Sequence, residues 1–247
     1  MSYNAGGQRR ILPSGNINGL RKARITNAQI SIGIGACRDS TNTVNIINTG
    51  LLVIDLSTSG AGGLDTGSEA ADTLYTDYII SGSSGIAGIA STNQTTPTLP
   101  AGYQYFRRVG AVRNNSGSNI MNFEQGGNSN NRRMVYNNNE DTLRVLTSVS
   151  ATTPTAVSLS EYMPITSTSP ILAFNFQADN KDNFVMLRPT GSGNSDFGFK
   201  IHMQGDKNRD GYGVIEPITN TSQSLDYEVS DVSDDLDLSV IGYHDNL

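Results

Sequence analysis

The chain has 247 residues and a net charge of −6; 36% are hydrophobic, 16% are charged, and about two in five are Gly, Asn, Ser or Thr. That small, turn-forming excess disfavours helices, while short runs of Val, Ile, Leu, Phe and Tyr all along the chain separate it from a disordered tail. No apolar run approaches the ~18 residues of a membrane span, and MSYNAGGQRR lacks the apolar core of a secretion signal, so the expectation is a protein made in the cytoplasm with no membrane insertion.

In chain order, residues 1–24 come first and hold Arg9, Arg10, Arg21, Lys22 and Arg24 with no acid. These cations are interspersed with Gly, Pro and Asn, and an acidic protein follows them, which opposes non-specific nucleic-acid binding. They read as an extended basic arm that docks on an acidic surface. A neighbouring copy offers one, because residues 221–247 carry Asp226, Glu228, Asp231, Asp234, Asp235, Asp237 and Asp245 with no Lys or Arg.

Beyond the arm, Ile25, Ile30, Ile32 and Ile34 alternate with polar or small residues, the period-2 pattern of a half-buried strand. TVNIINTG and LLVIDLSTSG follow, with Asn48-Thr49-Gly50 as the turn between them. AGGLDTGSEA is a Gly-rich loop, and GSEAADTLY is the one weak helical candidate. DTLYTDYIISG and SSGIAGIAST are strands, TPTLPAGY stops the ladder with two prolines, and YQYFRRVGAVRNN, NIMNFEQ and RRMVYNNN resume it. Residues around 137–150 (NNNEDTLRVLTSVS), where an Asn run precedes a fresh start, then mark a domain boundary.

The second half offers LRVLTSVS, TPTAVSLSEY, SPILAFNFQA, NFVMLRPTG, FGFKIHMQG, YGVIEPI, SLDYEVSD and DLSVIGYHD. Strands every ~8–12 residues with Gly, Asn and Pro turns predict antiparallel sandwiches or jelly rolls. No fixed-period repeat is visible, which disfavours propellers, solenoids and β-helices.

Chemistry-bearing residues are scarce. The single cysteine, Cys37, cannot form an internal disulfide or a cysteine zinc site. His202 lies in a strand-like run and His244 close to the C-terminal residue, neither a natural general base for a nucleophile. GxSxG, HExxH, GxxxxGK[ST] and GxGxxG are absent, so no catalytic residue and no cofactor are expected. GDKNRDGYGVIE sets Asp206, Asn208 and Asp210 at the spacing of an oxygen-ligand calcium loop, but Pro217 occupies the twelfth position. A hairpin turn explains those residues better than a metal site. Asp179 and Asp182 in ADNKDN make a still weaker pattern.

Two motifs carry a resemblance. Gly62, Gly63, Leu64, Asp65, Thr66, Gly67 and Ser68 form GGLDTGS, and residues 97–110 read PTLPAGYQYFRRVG. Together with Ala36, Arg38, Asp39, Ser40 and Thr41 upstream, and Tyr227, Val229, Ser230, Leu236, Leu238, Val240, Gly242 and Tyr243 near the end, they resemble a module of tailed-phage and prophage tail proteins. Cys37 departs from that pattern. The resemblance implies a virion structural protein of β-sandwich build, often oligomeric, on a tail, baseplate or fibre.

The motif residues have physical readings of their own. Pro100 stiffens the approach to a strand, and Gly102 permits a turn that bulkier residues resist. Arg107 and Arg108, being adjacent on a strand, face opposite sides, and either can pair with a carboxylate such as Asp65. Tyr103 and Tyr105 share one face, where strand packing outweighs a sugar-stacking role.

These readings combine into an all-β expectation: an arm over 1–24, then two antiparallel β-sandwich or jelly-roll-like domains over 25–141 and 142–247. The expected function is a non-enzymatic virion structural protein, a tail-associated fibre, adaptor or baseplate component. Its expected partners are copies of itself, as a homotrimer by analogy with fibres, and other virion proteins. A host-glycan receptor-binding module and a capsid decoration or head-fibre protein are the alternatives.

Overall fold

The computed structural model describes residues 11–137, 143–178, 180, 182–192, 198–202 and 209–247. They are all-β, in several antiparallel sheets, as the strand spacing requires. The chain divides into two compact units, Met1–Arg132 with Asn246–Leu247, and Arg133–Asp245. The expected boundary at 141 is thereby moved: β11 (Asn131–Tyr136), read as the close of the first domain, runs into the second unit.

The first unit contains β1 (Ile17–Gly19), β2 (Lys22–Arg24), β3 (Gln29–Ile32), β4 (Gly35–Arg38), β5 (Asn45–Asn48), β6 (Leu52–Asp55), β7 (Leu74–Gly82), β8 (Gly85–Ser91), β9 (Tyr103–Arg113) and β10 (Phe123–Gly127). Three three-stranded sheets result, in the orders β1-β4-β5, β2-β3-β6 and β8-β7-β9. Ile17, Leu20, Ile32, Ile54, Tyr78 and Ile89 are fully buried members of its core.

The first two of these sheets are joined by three links, and this alters two expectations. The run of isoleucines from 25 to 34 does not form one strand. β3 ends at Ile32, and the chain crosses to the other sheet before β4. Asn48-Thr49-Gly50 likewise carries the chain between sheets, because β5 pairs with β4 whereas β6 pairs with β3. The links are stitched together: the Leu20 amide donates to the Ile34 carbonyl at 3.1 Å, and the Gly33 amide to the Arg21 carbonyl at 2.8 Å. The Asn48 side-chain amide donates to the Gly33 and Gly50 carbonyls at 2.9 and 2.6 Å. The weak helical candidate is not a helix: residues 67–73 are loop and turn, and Leu74 and Tyr75 open β7.

The arm expected over 1–24 is corrected for its described part. β1 pairs with β4 from Ile17↔Cys37 to Gly19↔Gly35, and β2 pairs with β3 from Lys22↔Ile32 to Arg24↔Ile30. Residues 17–24 are thus two strands of the first unit. Arg9 and Arg10 lie outside the described residues.

The second unit is built from β12 (Arg144–Val149), β13 (Thr155–Ser158), β14 (Ser169–Ala178), β15 (Phe184–Pro189), β16 (Phe199–His202), β17 (Arg209–Ile215), β18 (Ser224–Val229) and β19 (Asp235–Asn246), with the end of β11. One sheet runs β11-β19-β14-β17 with β12 also on β19, and another runs β13-β18-β15-β16. Alternation is clean here: Leu225, Tyr227 and Val229 of β18 are buried, and the residues between them are half-buried. Leu172, Phe176, Leu187, Leu238 and Val240 fill the core.

Candidate functional site

The most unusual chemistry in the molecule is buried in the first unit, at a residue expected on the arm. Lys22 of β2 points its ammonium at Asp77 of β7, with Nζ 2.5 Å from Oδ2 and both side chains 0% exposed. Nζ also donates to the Ala111 carbonyl at 2.8 Å and lies 5.6 Å from the centre of the Phe123 ring. Space for the lysine stem comes from Gly110, which faces Asp77 across β7 and β9 at φ +147. A Cβ there would approach Lys22 Cε to 2.7 Å, so only glycine fits both the backbone and the stem. Burying charge is expensive unless it is paired and hydrogen-bonded, and this pair meets both conditions.

The other described cations of the expected arm are also internal fasteners. Arg21 donates to the carbonyls of Gln125 and Gly127 at 3.1 and 2.6 Å, and Arg24 to the Ile120 carbonyl at 2.8 Å. The Lys22 amide donates to the Gln125 side-chain oxygen at 2.9 Å. From the other side, Arg132 is 1% exposed and donates to the Leu20 and Gly19 carbonyls at 2.7 and 2.6 Å. Arginine suits this task because its planar fork meets several carbonyls at once.

The two motif loops form a second construction in the same unit. Segment 62–65 lies along β8: the Gly62 amide donates to Gly88, the Ala90 amide to Gly63, and the Asp65 amide to Ala90, at 2.8, 2.9 and 2.8 Å. On its other side the Asp55 amide donates to the Gly62 carbonyl at 2.8 Å, so the segment stitches β6 to β8. Asp65 then reaches the second motif, accepting from the Thr98 amide at 2.8 Å and from the Thr66 amide at 2.8 Å. The expected pairing of Asp65 with an arginine gives way to these two backbone donors. Arg107 donates instead to the Gly15 carbonyl at 3.3 Å, and Arg108 is half-buried on the same strand.

After Pro100, Gly102 turns the chain at φ +86, where it accepts from Ser84 of the β7–β8 turn. Tyr103 and Tyr105 do not share a face. An extra residue at Gln104 shifts the register opposite Ser81 and Gly82. Tyr103 and Phe106 therefore both pack against the Tyr78–Ile80–Ile89 cluster, while Tyr105 is exposed. Asp39 of the upstream segment 36–41 is buried and accepts from the amides of Thr41, Thr43 and Val44. Burial pushes its carboxyl up, but the bonds from Thr41, Val44 and Thr43 outweigh that and hold it below the usual range. Cys37 is an inert core thiol, pushed up by burial to about 12.

In the second unit, Glu216 accepts from Arg133 at 3.3 Å and lies 3.1 Å from His244 Nε2, at partly exposed positions. Burial raises its carboxyl, but the bonds and charges of His244 and Arg133 together outweigh that and carry it below the ordinary range. His202 is exposed on β16, its ring beside that of Phe184. Asp206, Asn208 and Asp179 lie outside the described residues. Asp210 sits on β17 opposite Gln177, and its carboxylate accepts from the Tyr212 hydroxyl at 3.4 Å and pushes that phenol up. Among the described residues no group of three or more His, Cys, Asp or Glu side chains is placed to share a metal ion.

Comparison of the chain with family models, curated proteins and solved structures returns no match. The class defined by fold and site is an all-β protein of sandwich-like sheets with a lysine–aspartate pair sealed in one unit.

Proposed function

We propose that the chain is a non-enzymatic structural protein of a bacteriophage virion, a tail-associated fibre, adaptor or baseplate component that assembles as a homo-oligomer. The observation that carries this reading is the mutual fastening of the two motifs on which the phage-tail resemblance rests. GGLDTGS stitches β6 to β8, and its Asp65 latches the PTLPAGY segment through Thr98. Ion pairs and hydrogen bonds that a catalyst would present to a substrate are spent here on holding strands together. Ile34 and Leu51, each 67% exposed at the links between two sheets, supply apolar surface for contact between copies. Attachment to other virion proteins then falls to the segment ahead of Ile11, with Arg9 and Arg10, because Arg21, Lys22 and Arg24 are committed within the unit.

The test is to locate the protein by cryo-electron microscopy of purified particles of the phage that encodes it. Density on the tail, with several copies in contact, is expected. Density on the capsid lattice would make it a decoration protein instead, and absence from the virion would overturn the reading.

A host-glycan receptor module is the second reading, favoured by one row of residues in the second unit. Tyr212 is 72% exposed on β17, Asn175 faces it on β14, and Asp237 faces Asn175 on β19. The exposed ring offers a stacking surface that sugars engage, and the exposed Asp210 carboxylate beside its hydroxyl offers a hydrogen-bonding group. Loss of binding to host cell-wall polysaccharide in Tyr212→Ala would support it, and equal binding by that variant would remove it.

A further inference from the structure

We propose that Lys22 and Asp77 condense into an intramolecular isopeptide bond, making this pair a covalent modification site that ties β2 to β7 across 55 residues of chain. The proposal does not depend on where the protein resides.

Nζ and Oδ2 lie in direct contact at 2.5 Å, with both side chains 0% exposed. Both groups are sealed from water, and a dry site favours the neutral amine and acid over two ions. Passage of one proton from Nζ to the carboxylate along that contact gives an uncharged amine, the form of lysine that acts as a nucleophile. The Ala111 carbonyl holds one of the amine's two remaining N–H groups at 2.8 Å. Gly110 and the Phe123 ring close in around the stem and head, so Nζ is held against the carboxyl group of Asp77.

The chemistry balances without any co-reactant. Nζ attacks Cγ, the new C–N bond forms, and the C–O bond to the protonated carboxyl oxygen breaks. The N–H proton not held by Ala111 moves to that departing oxygen, which leaves as water. The remaining N–H becomes the amide hydrogen, already bonded to the Ala111 carbonyl. No electron is gained or lost. Holding the reacting groups this closely is worth an effective concentration on the order of 10⁵ M or more, which drives a condensation that free lysine and aspartate do not undergo. Exclusion of water then protects the product from hydrolysis.

The experiment is an intact-mass measurement of the full chain under denaturing conditions, followed by digestion and fragment sequencing. The wild-type chain is expected to be lighter than its sequence mass by one water, about 18 Da. The digest is expected to contain one branched peptide joining Lys22 to Asp77, and Lys22→Arg and Asp77→Ala are each expected at full sequence mass. A wild-type chain at full sequence mass overturns the proposal. So does a deficit that persists in Lys22→Arg, or one that maps to the Asp210–Gly211 step, where a succinimide would lose the same water. Should either variant fail to fold, the branched peptide from the wild-type chain, present or missing, decides by itself.

Discussion

The two units differ in where they put their paired charge. The first buries it: Lys22, Asp77 and Arg132 are at most 5% exposed, and each binds a partner distant in sequence. The second keeps most of its ion pairs at the rim. In the Arg133–Glu216 pair both side chains are 44% exposed and in Arg144–Asp237 they are 30% and 24%, whereas Arg188 is buried at 8% and reaches a Glu228 that is 26% exposed. Arg132 and Arg133 make the contrast between neighbours, since adjacent strand residues point to opposite sides. One is a buried clamp on the Gly19 and Leu20 carbonyls, and the other is half exposed. Residue type alone therefore does not set the role of a charge; its place in the strand period and its distant partners do.

The contrast can be broken most forcefully at Lys22. Removing it in Lys22→Ala strands Asp77 in a dry site and is expected to cost about 3–5 kcal/mol in urea unfolding. Replacing both partners at once, Lys22→Met with Asp77→Leu, leaves no stranded carboxylate and is expected to be more stable than Lys22→Ala. Arg132→Met comes next, at about 2–3 kcal/mol, because it leaves two buried carbonyls without a donor.

Acid sharpens the comparison further. The folded-state value of Asp39 is depressed, so its contribution is complete above the unfolded value near 4 and fades as pH falls through the folded value. The melting temperature is expected to drop below about pH 4, and Asp39→Asn should flatten that slope while lowering stability at pH 7 by about 1–2 kcal/mol. Asp65→Ala removes the latch to Thr98 at a cost of about 1 kcal/mol, with faster hydrogen exchange at Thr98 as the local readout. The smallest effect belongs to the rim. Arg133→Ala is expected to change stability by less than about 1 kcal/mol, and molar salt should erase the difference.

Much of the fold was legible because alternation survives wherever a strand has one buried face, as in β18. What escaped has physical reasons. The links between sheets are fixed by bonds such as Asn48 to Gly33, between segments whose local patterns say nothing of each other. A bulge at Gln104 defeated the parity argument for Tyr103 and Tyr105, since one extra residue reverses every side chain beyond it. For Asp65 the sequence offers the arginines as partners, whereas backbone amides of Thr66 and Thr98 take its carboxylate. Lys22 was the hardest. Its neighbours in sequence are those of a solvated arm, and only Asp77, 55 residues away, explains its burial.

The integration of residues 17–24 into the first unit is the point on which the most depends, and hydrogen–deuterium exchange with mass spectrometry measures it directly. With the Leu20 amide on the Ile34 carbonyl and the Lys22 amide on Gln125, a peptide covering 17–24 is expected to exchange as slowly as β7. Complete exchange of that peptide within seconds, while β7 stays protected, would return these residues to a free arm and contradict the buried pair.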